Sequence, residues 1–152
     1  MSVNYELRLA TPDDAAALQQ ACWPERSVDG VRELLERAEG LAKHRRGLGI
    51  VATNGYRVLG YGQLTIWPRT CEISDLIVTA DVRSQGIGTA IICDLVERAR
   101  LWPMQQIEIG VARNNPRAHA LYRRLGFKEN RTIQLDLGAG PEPVTYLVMQ
   151  LK

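Results

Sequence analysis

Cysteine is scarce in this chain of 152 residues. Its three cysteines, Cys22, Cys71 and Cys93, lie far apart, are odd in number and never fall in CxxC spacing. That argues against a disulfide framework or a zinc site and for reduced thiols in a cytoplasmic protein. Histidine is scarcer still, with only His44 and His119, and neither belongs to a metal-ligand constellation; no metal is expected. No apolar run approaches the ~18 residues that span a bilayer. Met1 to Arg8 carries Glu6 and Arg8 where a secretory signal would need an apolar stretch. Repeats, low-complexity tracts and linkers are absent. Neither sign of charge dominates: the net charge of +2 gives no reason to expect nucleic acid or a membrane surface as partner. The rest is ordinary globular material, 45% hydrophobic and 24% charged, enough for one domain over 1–152 with a substantial core.

The hydrophobic spacing predicts an alternation of strands and helices. Val3 to Leu9 alternates with period two and reads as a strand. Thr11-Pro12-Asp13-Asp14 has a capping residue, a proline suited to a first helical turn and two acids for its positive end, so Ala15 to Cys22 reads as a short helix. A second helix over Val28 to Arg46 puts Val31, Leu34, Leu35 and Ala38 on one face. Leu48 to Thr53 and Tyr56 to Trp67 read as strands joined by a tight Asn54-Gly55 turn, followed by Cys71 to Thr79. Gly86 to Trp102 reads as a helix, Gln106 to Val111 as a strand, and Asn115-Pro116 opens another helix that ends before Gly126. Phe127 to Asp136 and Val144 to Leu151 complete the set. This order implies an α/β (α+β) fold: one mixed, mostly antiparallel sheet of six to seven strands with helices on both faces.

The segment Ile73 to Ala90, ISDLIVTADVRSQGIGTA, carries the chemistry. A strand enters a loop holding Arg83, Gly86 and Gly88, and the loop enters a helix. Exposed amides, a helix dipole and the lack of bulky side chains suit a pyrophosphate. A plain strand-to-helix turn is the blander reading of the same glycines. The segment lacks the Gly-Lys-Ser/Thr ending of a P-loop, and Ile91 stands where the dinucleotide fingerprint needs a glycine or alanine.

Arg83-x-x-Gly86-x-Gly88, followed by Asn115-x-x-Ala118-x-x-Leu121-Tyr122-x-x-Leu125-Gly126-Phe127, resembles the GNAT superfamily of N-acetyltransferases, and the likeness runs from Tyr5 to near the end of the chain. The resemblance implies acetyl-CoA as cosubstrate and an amine as acceptor. It implies that backbone groups of Leu76, Ile77 and Val78 pair with the pantetheine arm. The amides of Ser84, Gln85, Gly86, Ile87, Gly88 and Thr89 would wrap the pyrophosphate, with Arg83 beside a phosphate and Asn115 against the pantetheine. Tyr122 would point its hydroxyl at the thioester sulfur and protonate the leaving thiolate. Tyr122 could equally be a core aromatic and Asn115 only a helix cap.

An attacking amine must also lose a proton, and relatives use a carboxylate on a central strand. Glu72, Asp75 and Glu108 are the candidates. Asp75, read as sharing a strand face with Ile73 and Ile77, is expected to be partly buried with a raised pKa, as a catalytic base would need, or else to be a hydrogen-bonded structural residue; Glu72 is expected to be exposed. Some peptide-acetylating relatives carry glutamate where this chain has Gly110, which favours a small-molecule amine over a peptide. Trp23, Trp67 and Tyr146 are available as acceptor-pocket walls. A peptide acetyltransferase, a noncatalytic CoA sensor and a homodimer stay open as alternatives.

Overall fold

Two neighbouring strands are buried on both sides. The computed structural model of the chain describes residues 4–152, so Val3 of the first expected strand lies outside them. Strand β2 (Gly47–Thr53) is buried at every position and β3 (Val58–Ile66) at all but one. Such strands need helices on each face to exclude water. On one face, helix α3 (Ile87–Ala99) packs Ile87, Ile91, Ile92 and Leu95 against Ile50, Leu59 and Leu64. On the other, α1 (Ala15–Cys22) and α2 (Val28–Lys43) pack Leu18, Val31 and Leu35 against Val51, Val58 and Tyr61. Burying each such side chain contributes about 1.5–3 kcal/mol.

Four strands flank this pair: β1 (Glu6–Leu9), β4 (Cys71–Val78), β5 (Gln106–Ala112) and β7 (Pro141–Gln150), with β6 (Lys128–Asp136) at the edge. Together with β2 and β3 they form a seven-stranded sheet in the order β1-β2-β3-β4-β5-β7-β6. Every neighbouring pair is antiparallel except β4 and β5, which run parallel. Helix α4 (Pro116–Arg124) completes the fold, its Tyr122, Ala118 and Leu121 joining the α3-side core. The mixed, mostly antiparallel sheet with helices on both faces is the architecture expected from the sequence. No helix among the described residues is long and apolar enough to cross a membrane.

Element ends differ from the sequence reading for local reasons. Helix α2 stops at Lys43 and not Arg46 because Arg45 turns left-handed (φ 55°). The amides of Arg46 and Arg45 then reach back to the carbonyls of Leu41 and Ala42 at 2.7 and 3.1 Å, a Schellman closure. The β2–β3 connection takes in Asn54–Arg57, wider than two residues, because the Asn54 side chain accepts from the amides of both Tyr56 and Arg57. Strand β7 starts at Pro141, earlier than Val144. Its turn is drawn tight by Asp136, which accepts from the amides of Gly138 and Gly140.

Candidate active site

The site begins where strand pairing stops. Strands β4 and β5 pair at Cys71–Ile107, Glu72–Glu108 and Ile73–Ile109, and nowhere beyond. The cause is a bulge in β4. Ser74 pairs with Gln63 and Ile77 with Tyr61, leaving Asp75 and Leu76 opposite the single residue Gly62. Asp75 adopts φ 55°, an uncommon conformation for a non-glycine residue. A bulge bends its strand, and here β4 leaves β5, so the β5-facing edge of the rest of the strand has no strand partner. A cleft of about 220 Å³ opens between them, with Asn115 and Tyr122 of α4 on its wall.

The bulge corrects one reading of the sequence. Ile73 packs in the α3-side core, whereas Ile77 packs in the α1–α2 core. Asp75 therefore does not share a face with both. It is exposed, with Ser74 Oγ donating to its carboxylate at 3.2 Å. The burial expected of it as a base is not there.

Asp75, Leu76, Asn115 and Tyr122 all line the cleft. The Asn115 side chain accepts from the Ala118 amide at 3.2 Å and caps α4. Tyr122 is largely buried, its ring 6.3 Å from that of Phe127. Burial pushes its phenol up to about 12, so at neutral pH it is a protonated hydroxyl. That hydroxyl bonds to no protein group among the described residues. Among the described residues no buried side-chain polar atom is left without a partner, so it opens into the cleft. Ile77 and Val78 continue the free edge of β4 beyond the cleft lining.

Past the free edge, the chain makes a 3₁₀ turn (Ala80–Val82) and enters the glycine loop. Ser84 and Gly86 both take positive φ, 67° and 86°. Among the described residues, no hydrogen-bond acceptor serves the amides of residues 84–89. A Cβ at Gly86 would meet nothing within 4 Å, so the space before these amides is open. Unpaired amides at the head of a helix form an anion site, and the diphosphate of a CoA-type cosubstrate fits it. Arg83, expected beside a phosphate, donates its Nε to the Val78 carbonyl at 3.1 Å. Arg117 of α4 bridges to the loop, Nη2 donating to Ser84 Oγ at 2.7 Å.

A second cluster occupies the sheet face away from α3. Glu72 is half-buried, not exposed as expected, and accepts from the Trp67 indole at 2.9 Å. Burial pushes its carboxyl up against the pull of that bond, and the charges of Glu108 and Asp75 add to the rise. Glu108, its register partner on β5, is buried and takes long contacts from Arg131 Nη2 at 3.4 and 3.5 Å. The Arg131 guanidinium lies 4.5 Å from the centroid of the Tyr146 ring. Sequence reasoning weighed both glutamates and both aromatics separately but missed Arg131. Each glutamate sits between two core residues, which puts it on the opposite face. Their adjacency depends on a register between strands 36 residues apart in sequence, which carries no local signal. Neither histidine enters the site; His119 pairs with Glu129 at 2.7 Å.

The model of the acetyltransferase (GNAT) family matches residues 13–127. An uncharacterized N-acetyltransferase of Mycobacterium tuberculosis is 30% identical over 115 residues, 75% of this chain and 73% of that protein. The L-methionine sulfoximine/L-methionine sulfone acetyltransferase of Pseudomonas paraeruginosa is 30% identical over 128 residues, 79% of this chain and 72% of that enzyme. Among solved structures, RimL, a ribosomal L7/L12 α-N-protein acetyltransferase in complex with coenzyme A, superposes with a TM-score of 0.82 at 16% identity, over 98% of this chain and 95% of that one.

Proposed function

Because the chain belongs to the GNAT family and is an acetyl-CoA-dependent N-acetyltransferase, we propose that it transfers the acetyl group directly to the primary amine of a small molecule. Bound acetyl-CoA supplies an activated acetyl group on a thiolate leaving group. The free edge of β4 from Leu76 to Val78 holds the pantetheine, and the amides of Ser84 to Thr89 hold the diphosphate. Asn115 shapes the wall beside them. With both reactants held, much of the rate comes from their positioning.

Three proton movements remain. Glu72 takes one proton from the acceptor ammonium, and the freed nitrogen forms the new C–N bond. As the C–S bond breaks, the Tyr122 hydroxyl gives its proton to the departing sulfur, and the nitrogen's second proton returns to the phenolate, leaving a neutral amide, a free thiol and the phenol restored. Glu72 suits the base better than Asp75 because its carboxyl is half-buried, raised and set beside the closed end of the cleft, whereas Asp75 is exposed. A raised carboxyl pKa brings the base closer to the operating pH.

The observation that carries this reading is an unpaired strand edge and an unpartnered Tyr122 hydroxyl on one cleft, with the free amide loop following on from that strand. A small acceptor is supported by the Pseudomonas paraeruginosa relative, named for small-molecule acceptors. Gly110 also stands where some peptide-acetylating relatives carry glutamate. The likeness to RimL is one of fold. Saturating acetyl-CoA should stabilise the protein, by about 2.7 kcal/mol at a hundred times Kd. Thiol release should then follow with small primary amines. Release with peptide N-termini alone would overturn the small-molecule acceptor.

A further inference from the structure

One basic side chain on the acceptor face has no part in that chemistry. Arg131 stands on the exposed edge strand β6, opposite Tyr146 of β7, which is itself opposite Gly110 of β5. Its guanidinium reaches inward over the Tyr146 ring toward Glu108. A side chain recruited only to neutralise a buried carboxylate would make a short, two-pronged pair. This one makes two contacts of 3.4 and 3.5 Å from a single nitrogen, at the long limit of hydrogen bonding. The side chain stays 47% exposed. Its Nε and Nη1 donors have no acceptor among the described residues. Tyr146 thus fixes the plane of a guanidinium whose remaining donors are open.

The location gives those donors a use. Tyr146 packs on Gly110, which lines the cleft. Glu108 lies two residues before Gly110 on the same strand face, with Glu72 beside it on β4. Glu72, Glu108 and Arg131 therefore form a row of two carboxylates and a guanidinium at the closed end of the cleft. An α-amino acid joins its ammonium to its carboxylate carbon through two bonds of about 1.5 Å each. With the ammonium at Glu72, the cation at the other end of that row, next to Glu108, is the Arg131 guanidinium.

We propose that Arg131 is a specificity residue that reads the carboxylate of the acceptor, and that the acceptor class is free α-amino acids and their close analogues. The inference rests on the small-molecule reading above and narrows it. Simple alkylamines have nothing for Arg131 to bind, and a peptide N-terminus carries an amide where the carboxylate would be.

The test pairs each L-amino acid in a panel with its own amide and its decarboxylated amine, for example L-methionine with L-methioninamide and 3-(methylthio)propylamine. Thiol release gives kcat/KM for the wild type, Arg131→Gln, Arg131→Lys and the double variant Arg131→Gln with Glu108→Gln. The wild type should prefer the free acid over both partners by on the order of 10²-fold. Arg131→Gln should collapse that ratio toward one, and Arg131→Lys should restore part of it, since lysine keeps the charge but not the planar fork. Ratios within one variant cancel any general loss of folded enzyme. If Arg131 only balances Glu108, acid, amide and amine will fall by one common factor and recover together in the double variant, which overturns the proposal. Turnover of peptides with none of the three small amines would instead overturn the small-molecule reading itself.

Discussion

The two sides of the cleft, proposed to hold the donor and the acceptor, are made of different material. On the donor side, main-chain amides and a free strand edge come from one continuous stretch, β4 through the first turn of α3. On the acceptor side, Trp67, Glu72, Glu108, Arg131 and Tyr146 come from the end of β3 and from four different strands. A donor that is always the same molecule can be held by backbone geometry, which any side chain small enough will leave intact. An acceptor that differs from enzyme to enzyme is held by side chains, each free to change. If this division is right, substitutions on one side should leave binding on the other side unaltered.

The largest expected effect is on the acceptor face. Glu72→Gln should lower kcat by about 10³-fold, within the range for a lost general base, with the Kd for acetyl-CoA unchanged by calorimetry. Glu72 must be deprotonated to act, and burial raises its carboxyl above the usual range. Wild-type kcat/KM should therefore rise with pH through that raised value, and the variant should lose this limb. Asp75→Asn should do far less. A larger loss from Asp75→Asn than from Glu72→Gln would return the base to the bulge.

Next comes the donor side. Gly86→Trp should weaken acetyl-CoA binding by more than about 10²-fold, equivalent to roughly 2.8 kcal/mol. It puts a bulky group in the space before the amides and a side chain on a left-handed residue. Gly86→Asn, which tolerates that conformation, should keep most of the affinity. Equal losses in the two variants would mean that backbone strain alone is responsible and that no diphosphate sits there.

The same division decides what could be read from the sequence. The glycine loop was legible because the residues that build it are neighbours in the chain and glycine marks the conformation they need. Helix faces such as Val31, Leu34, Leu35 and Ala38 were legible by their period. The bulge at Asp75 was not. A period of two was carried through Ile73, Asp75 and Ile77, and a single extra residue reversed the face of everything after it. Arg45 escaped for a similar reason, since arginine gives no sign of a left-handed helix end. The stacking of Arg131 on Tyr146 depends on the β6–β7 register, itself shifted between Glu129 and Arg131.

Tyr122 lies between the two sides, and Tyr122→Phe should cost about 10²-fold in kcat, the lower edge of general-acid effects, with little change in acetyl-CoA affinity. Because the phenol is pushed up to about 12, the wild type should show no loss of activity from its ionisation until the pH comes within about one unit of that value. Unchanged kcat in the variant would leave Tyr122 as packing against Phe127.

The smallest expected effect is the sharpest test of separability. A Cβ at Gly110 would stand 3.1 and 3.2 Å from Cε1 and Cζ of Tyr146 and 3.3 Å from Val144 Cγ1. Gly110→Ala must therefore push the Tyr146 ring by a few tenths of an ångström, with an overpacking cost on the order of 1–3 kcal/mol. Arg131 rests on that ring, so the displacement should pass to the acceptor and raise its KM a few-fold. Gly110 also lines the cleft, but its added methyl would point to the acceptor face, away from Tyr122. Acetyl-CoA affinity, measured in the same preparation, should hold. A parallel loss of both would mean that β5 transmits strain across the cleft and that donor and acceptor sites are not independent.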